Sequence, residues 1–325
     1  MSNLPQFENK HEKSLFLLSP VDRVLAFEKI GQLARLSALA VDRADWIPPG
    51  LAHMALCCAD AYLAENRSKP WQREDFEYYT LSGGMECVDA LVVAISKTSE
   101  GFPGMCAVAD SLGASGFQPP VQNQLSEFLE VLDQARKIVS TLPEYHEMVL
   151  KNTGFIVPFL CKPPSVGSGS ALQIPGALLL PANVPAVVLA ECWIHEALHT
   201  ELHLAEWLEG VPPACATNDL PTPWRTVKRP ASLLLHGAYV FSSLLKFINA
   251  MSSAYNQVPS HWHLSATRGT QILVNNVKET MDFRKSQIVE ALQCLNSAAS
   301  FTHYGKNTMA LIREQLLIND GILAS

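Results

Sequence analysis

Apolar residues recur at helical spacing along most of this chain, and the elements they predict are nearly all helices. Ser19-Pro20 suits a helix start, and Val24, Leu25, Phe27, Ile30, Leu33, Leu36 and Leu39 follow on one face until Pro48-Pro49-Gly50 breaks the pattern. Leu51–Glu65 and Met85–Ile95 predict two more helices. Gln122–Leu142 is amphipathic through Leu125, Phe128, Leu129, Leu132, Ala135, Ile138 and Val139, and Pro143 stops it. The pattern changes over residues 151–184. There Phe155–Leu160 and Ala177–Leu180 are short apolar runs separated by Pro163-Pro164, Gly167–Ser170 and Pro175-Gly176, a strand–loop–strand signature that suggests a hairpin. A long helix then runs from about Pro185 to Gly210, closed by Pro212-Pro213, and a proline-rich loop covers Val211–Arg229. Helices follow at Ala231 to about Asn249, Arg268–Asn296 and Met309–Ile318, with a loop over Tyr255–Thr267. The fold expected is mainly α, with a small β-hairpin-like element before the helix at 185–210. An N-terminal helical region (1–150) and a second region (151–325) form one compact unit.

Composition narrows the classes. Of 325 residues 48% are hydrophobic and 17% charged, enough for a sizeable core. The net charge of −7 argues against a nucleic-acid surface and against attraction to a membrane. No apolar run is seen that reaches the roughly 18 residues a membrane helix needs, and the N-terminus is polar, unlike a signal peptide. The eight cysteines include no C-x-x-C pair, so reduced thiols and a cytoplasmic location are expected.

The chemistry gathers on the 185–210 helix, which carries His195-Glu196-x-x-His199. Four residues turn a helix by about 400°, so the two imidazoles share a face and can reach one metal ion, with Glu196 beside them. A third ligand is needed. His203 continues the series but lies about 12 Å along the axis from His195, so it reads as a face residue or a support. Glu201, Glu206 and Glu209, on the same helix, are poorly placed for a third ligand, and the loop residue Asp219 is possible. His236 is the better candidate. It stands on the next helix among Leu233, Leu234, Leu235, Tyr239, Val240 and Phe241, although a buried histidine bonded to a carbonyl would leave the same pattern. Arg225 and Arg229, in the loop before that helix, can hold a carboxylate bidentately. Ser168 and Ser170 are candidate pocket-edge hydroxyls.

The ordered set Ser170…Pro175-Gly176, His195-Glu196-x-x-His199, Pro223-Trp224-Arg225, Arg229-Pro230 and His236-Gly237 resembles the H-E-x-x-H peptide-modification proteins. These are α-ketoglutarate-dependent peptide β-hydroxylases of ribosomal peptide natural product pathways. The resemblance is strong over roughly residues 165–245 and elsewhere rests only on the helical layout. It implies Fe(II) at His195, His199 and His236, and α-ketoglutarate (2-oxoglutarate) as cosubstrate with Arg229, Arg225 and Ser170 as its binding residues. A precursor peptide, leader and core, would be the substrate. Non-haem iron oxygenases commonly use two histidines and one carboxylate, so three histidines depart from that pattern and leave Glu196 an orienting role. Two other readings stay open. One is a zinc metallopeptidase with Zn(II) at the same ligands and Glu196 as general base. The other is a non-catalytic helical protein that uses a metal structurally or binds a leader peptide.

Overall fold

A computed structural model describes residues 17, 76–80, 91–95, 122–153, 155–161, 167–170, 176–255, 264–267, 270–273 and 277–323. These are mainly α-helical. Six helices lie among them: α1 (Gln122–Ser140), α2 (Pro143–Asn152), α3 (Ala186–Glu209), α4 (Ala231–Tyr255), α5 (Val277–Ala298) and α6 (His303–Leu323). The helices expected over residues 19–39 and 51–65 lie outside the described residues.

Five strands form the main sheet, in the order β1 (Phe76–Thr80), β2 (Leu91–Ile95), β3 (Phe155–Phe159), β5 (Ala177–Pro181), β4 (Gly169–Ser170). The two apolar runs before the long helix are therefore strands, but β3 and β5 pair in parallel, and the hairpin is β4 with β5. The reason is the intervening segment, which supplies its own strand at the outer edge of β5, so the chain can re-enter β5 in the direction of β3. Leu91–Ile95, expected within a helix, is the strand β2, paired antiparallel to β1 and parallel to β3. Its run Leu-Val-Val-Ala-Ile is apolar on every side. Such a run suits a strand flanked by two others and carries no period that separates strand from helix.

Shorter strands occupy stretches expected as loops: β6 (Ala214–Cys215) pairs with β11 (Ser300–Phe301), and β7 (Leu220–Thr222) with β8 (Arg225–Arg229). β9 (Leu264–Thr267) pairs with β10 (Thr270–Leu273), so the helix expected from Arg268 begins only at Val277.

α3 is the axis of the fold and packs against α1, α2, α4, β4 and β5. α4 in turn packs against α5 and α6. The periodic residues of α1 behave as read: Leu125, Phe128, Leu132, Ala135 and Val139 are buried. Pro143 ends that run and also opens α2, where a missing N–H costs nothing. α3 ends at Gly210 in the left-handed conformation (φ 72°), its N–H donating to the Glu206 carbonyl at 2.8 Å, as the C′ position requires.

Most of α3 is buried, including the polar Glu196, Thr200, Glu201 and His203. Buried polar groups need partners. The C-terminal end of α2 provides two: Asn152 Nδ2 donates to Glu201 Oε1 at 2.8 Å, and Trp193 Nε1 donates to Thr153 Oγ1 at 2.9 Å. Tyr145 of α2 donates its hydroxyl to the Ser243 carbonyl of α4 at 2.5 Å, which ties α2 to α4. One correction concerns membranes: Ala231–Met251 within α4 is long and apolar enough to cross one by length and composition, and 72% of it is buried inside this fold.

Candidate metal centre

The H-E-x-x-H residues stand in the middle of α3, where helix geometry puts His195, His199 and His203 on one face. His195 Nε2 and His199 Nε2 approach to 3.2 Å. Two nitrogens each about 2.1 Å from one ion stand roughly 3.0–3.4 Å apart, so this pair has the spacing of two ligands on a common metal. α4 packs alongside and brings in His236, 2% exposed, with its Nδ1 3.1 Å from Nδ1 of His199. The three predicted ligands therefore come together as a row, with His199 in the centre: His195 meets one edge of its ring and His236 the other.

The row continues. His236 Nε2 lies 3.4 Å from Glu206 Oε1, and His203 Nδ1 lies 4.0 Å from Glu206 Oε2. The ligand atoms of His203, Glu206 and His236 all lie within 4.8 Å of one another, a set that can hold a metal ion. Both His203 Nδ1 and His236 Nε2 are buried with no hydrogen-bond partner among the described residues. Imidazole and carboxylate donors suit iron or zinc, and two histidines with one carboxylate is the commoner iron set. Donor chemistry and unsatisfied nitrogens thus both fit a metal.

Glu206 is still no third ligand to the H-E-x-x-H pair, as expected, and belongs instead to a set with His203 and His236 that the sequence did not suggest. Helical rise keeps Glu206 far from His195, but α4 carries His236 to it. The local signal was the i, i+3 spacing from His203 to Glu206, which needs the neighbouring helix before it means anything. Asp219 is exposed.

Burial sets the charge of these groups. It pushes the His195 imidazole below its ordinary range, opposed by the negative charges of Glu196 and Glu191. His199 is held well below it, by burial first and by the three neighbouring imidazoles next. Burial lowers His203 to about 4 despite Glu206. Neutral imidazoles are the metal-binding form, so these ligands need lose no proton at neutral pH. Burial works against ionisation of Glu206, but the His203 and His236 imidazoles facing it outweigh that and hold the carboxyl below its usual range.

Glu196 is buried and turned toward the sheet. Ser168 Oγ donates to its Oε1 at 2.6 Å and Ser170 Oγ, on β4, to its Oε2 at 2.7 Å. The Ser170 hydroxyl thus spends its hydrogen bond on Glu196, as does that of Ser168. Glu196 Oε1 is also 3.8 Å from His195 Nε2.

Arg225 and Arg229 lie at the two ends of β8, Arg225 exposed and Arg229 partly so. Burial and the charge of Arg225 lower the Arg229 pKa. The turn between β7 and β8 matters more directly. It carries Trp224, whose ring lies against Gly237 so closely that a Cβ there would stand 2.9 Å from Cζ3. The His236-Gly237 pair has a physical reason: the missing side chain lets the indole cover α4 next to the histidine. Trp224 also packs on Phe241 (ring centres 5.0 Å apart), and Phe241 packs edge-on against His195 at 5.6 Å. Arg284 of α5 lies over that same phenylalanine, a residue no sequence pattern singled out.

Compared with known proteins, the chain matches no family model and no curated protein.

Proposed function

We propose that this protein is an Fe(II)- and α-ketoglutarate-dependent hydroxylase that β-hydroxylates a side chain of a ribosomally made precursor peptide, in the cytoplasm. The observation that carries the metal part is the 3.2 Å approach of His195 Nε2 to His199 Nε2, with His236 at the opposite edge of the His199 ring. The cosubstrate and the peptide rest on the ordered motifs, from Ser170 to His236-Gly237.

In this reading His195, His199 and His236 would hold the ion once a ring turns, since His195 faces Nε2 of His199 and His236 faces its Nδ1, and burial keeps the imidazoles of His195 and His199 neutral for it. Bound iron(II) with α-ketoglutarate supplies the oxidative chemistry, in which dioxygen and the 2-oxo acid are consumed, succinate and carbon dioxide are released, and a hydroxyl is placed on a side-chain Cβ. Glu206 stands 3.4 Å from the outer nitrogen of His236, where it would orient that ring, a support that commonly sharpens metal affinity. Glu196 is fixed by two serine hydroxyls and orients His195. Phe241 and Trp224 wall the His195 side with apolar surface, which excludes water from the reacting atoms.

The test is metal analysis of anaerobically purified protein, followed by titration of the iron(II) form with α-ketoglutarate. A visible charge-transfer band that needs His195, His199 and His236, together with succinate formed in step with a peptide that gains one oxygen, is the expected result. Zinc at one per chain and no band after iron loading would overturn it.

A specific observation favours a second reading. Glu196 Oε1 stands near the same His195 nitrogen that converges on His199, where the general base of a zinc metallopeptidase would act. Each oxygen already accepts one serine hydroxyl, which weighs against that role. Peptide cleavage that Glu196→Gln abolishes while zinc remains bound would establish the peptidase.

A further inference from the structure

Two buried hydrogen-bond donors without acceptors border one aromatic ring beside His195. The first is Arg284 of α5, whose guanidinium carbon lies 4.5 Å from the centre of the Phe241 ring. The second is Trp224, tilted against that ring with centres 5.0 Å apart. Arg284 Nε and Trp224 Nε1 are both buried, and neither has a hydrogen-bond partner among the described residues. Phe241 itself packs against His195, so a single ring separates the guanidinium from a proposed ligand.

An N–H removed from water and left without an acceptor is a net loss to the fold, and native structures seldom tolerate one without a ligand or water to complete it. Here two border the same ring, and one belongs to a positively charged group. The geometry around them is fixed from three sides. Gln287, one turn further along α5, donates to the Pro223 carbonyl at 3.2 Å and so pins the turn that carries Trp224. Gly237 gives the indole its place on α4. Glu191, one turn before His195, supplies a negative charge that acts on Arg284 through space. What would satisfy an indole N–H and a guanidinium fork at once is a planar anion with two acceptor oxygens, that is, a carboxylate.

We propose that Arg284, with the Trp224 N–H, binds the carboxylate of an acidic small molecule whose other end reaches the histidine row. On the hydroxylase reading, on which the identity of the occupant rests, this is the far carboxylate of the 2-oxo diacid, and Arg284 rather than Arg229 or Arg225 takes it. Arg284 and Arg229 are each partly buried, but the buried, unpartnered Nε of Arg284 stands beside the site, whereas Arg225 is exposed on β8, where a pair with an anion is screened and worth little.

The experiment measures binding of glutarate, a dicarboxylate with no 2-oxo group, to the full chain without metal by isothermal titration calorimetry. Wild-type protein should bind it, Arg284→Gln should weaken it by roughly tenfold or more, and Arg284→Lys should fall between, since the charge stays but the fork is lost. Trp224→Phe keeps a ring and drops the N–H, and should cost about fivefold, which keeps the test usable where Arg284→Gln fails to fold. Arg229→Gln should match wild type. No glutarate binding by wild type, equal binding by wild type and a folded Arg284→Gln, or loss in Arg229→Gln alone would overturn the assignment. Glutarate binding that needs Arg284, with no charge-transfer band for iron(II) and α-ketoglutarate, would leave the carboxylate site standing and remove the hydroxylase reading.

Discussion

Glu206 Oε1 stands 3.4 Å from Nε2 of His236, a contact between the last turns of α3 and the first turns of α4 that joins the H-E-x-x-H helix to the next histidine. The contact makes metal binding depend on a carboxylate outside the motif. His195→Ala, His199→Ala and His236→Ala should each lose stoichiometric iron. Glu206→Gln should keep the metal but weaken it by about 10- to 100-fold, the usual effect of losing the group that orients a histidine ligand. Metal content after dialysis against graded chelator checks this. If His203→Ala and Glu206→Gln abolish binding as fully as His236→Ala, while His195→Ala retains the ion, the metal sits on the His203–Glu206–His236 set instead.

The two serines on Glu196 should matter to stability as well as to the site. Each donates to a buried carboxylate, and hydrogen bonds to charged groups contribute about 1.5–3 kcal/mol. Ser170→Ala should therefore lower the unfolding free energy by about 2 kcal/mol. Ser168→Ala, in a more accessible place, should cost less. Denaturant titrations of the two variants decide this, and no difference between Ser170→Ala and wild type would mean that water replaces the hydroxyl.

The histidine row should make the metal-free protein acid-sensitive. Burial lowers His195, His199 and His203, the last to about 4, below the ordinary value of 6.5. The unfolded chain then binds protons that the folded chain refuses. Stability is fully present above pH 6.5 and falls as the pH drops from there toward 4, with His203 alone accounting for on the order of 3 kcal/mol. Thermal melts of chelated protein across that range measure the slope. Metal-loaded protein should hold its melting temperature to lower pH, because the ion competes with the proton.

Gly237→Ala should be costly although alanine favours helices. The new Cβ would stand 2.9 Å from Cζ3 of Trp224, a rigid ring atom rather than a flexible end. Overpacking of this kind costs about 1–3 kcal/mol, and the indole must move away from its place beside His236. The expected signature is a lower melting temperature together with a changed tryptophan emission. Gly237→Ala in the background of Trp224→Leu should be much milder if that contact is the cause.

How far this was legible in the sequence differs from residue to residue. The amphipathic spacing of Leu125 to Val139, the left-handed Gly210 and the i, i+4 pair His195 and His199 are local properties of a helix, so they could be read before any fold was known. So could the mainly helical class. Leu91–Ile95 could not, because a uniformly apolar run has no period, and its parallel neighbour β3 lies far off in sequence. The direction of β3 relative to β5 depended on a two-residue strand at their edge that no pattern announces.

The tertiary structure alone decided what surrounds the motif. Glu206 acquires its meaning only when α4 brings His236 against α3, and Arg284 only when α5 lays its guanidinium over Phe241. Sequence determines helical periodicity, capping and intrahelical pairs, because these rest on interactions within a few residues. Which buried nitrogen lacks a partner, and which charge faces it, depends on packing between distant elements, and that physical fact is what marks out the candidate carboxylate site beside the histidines.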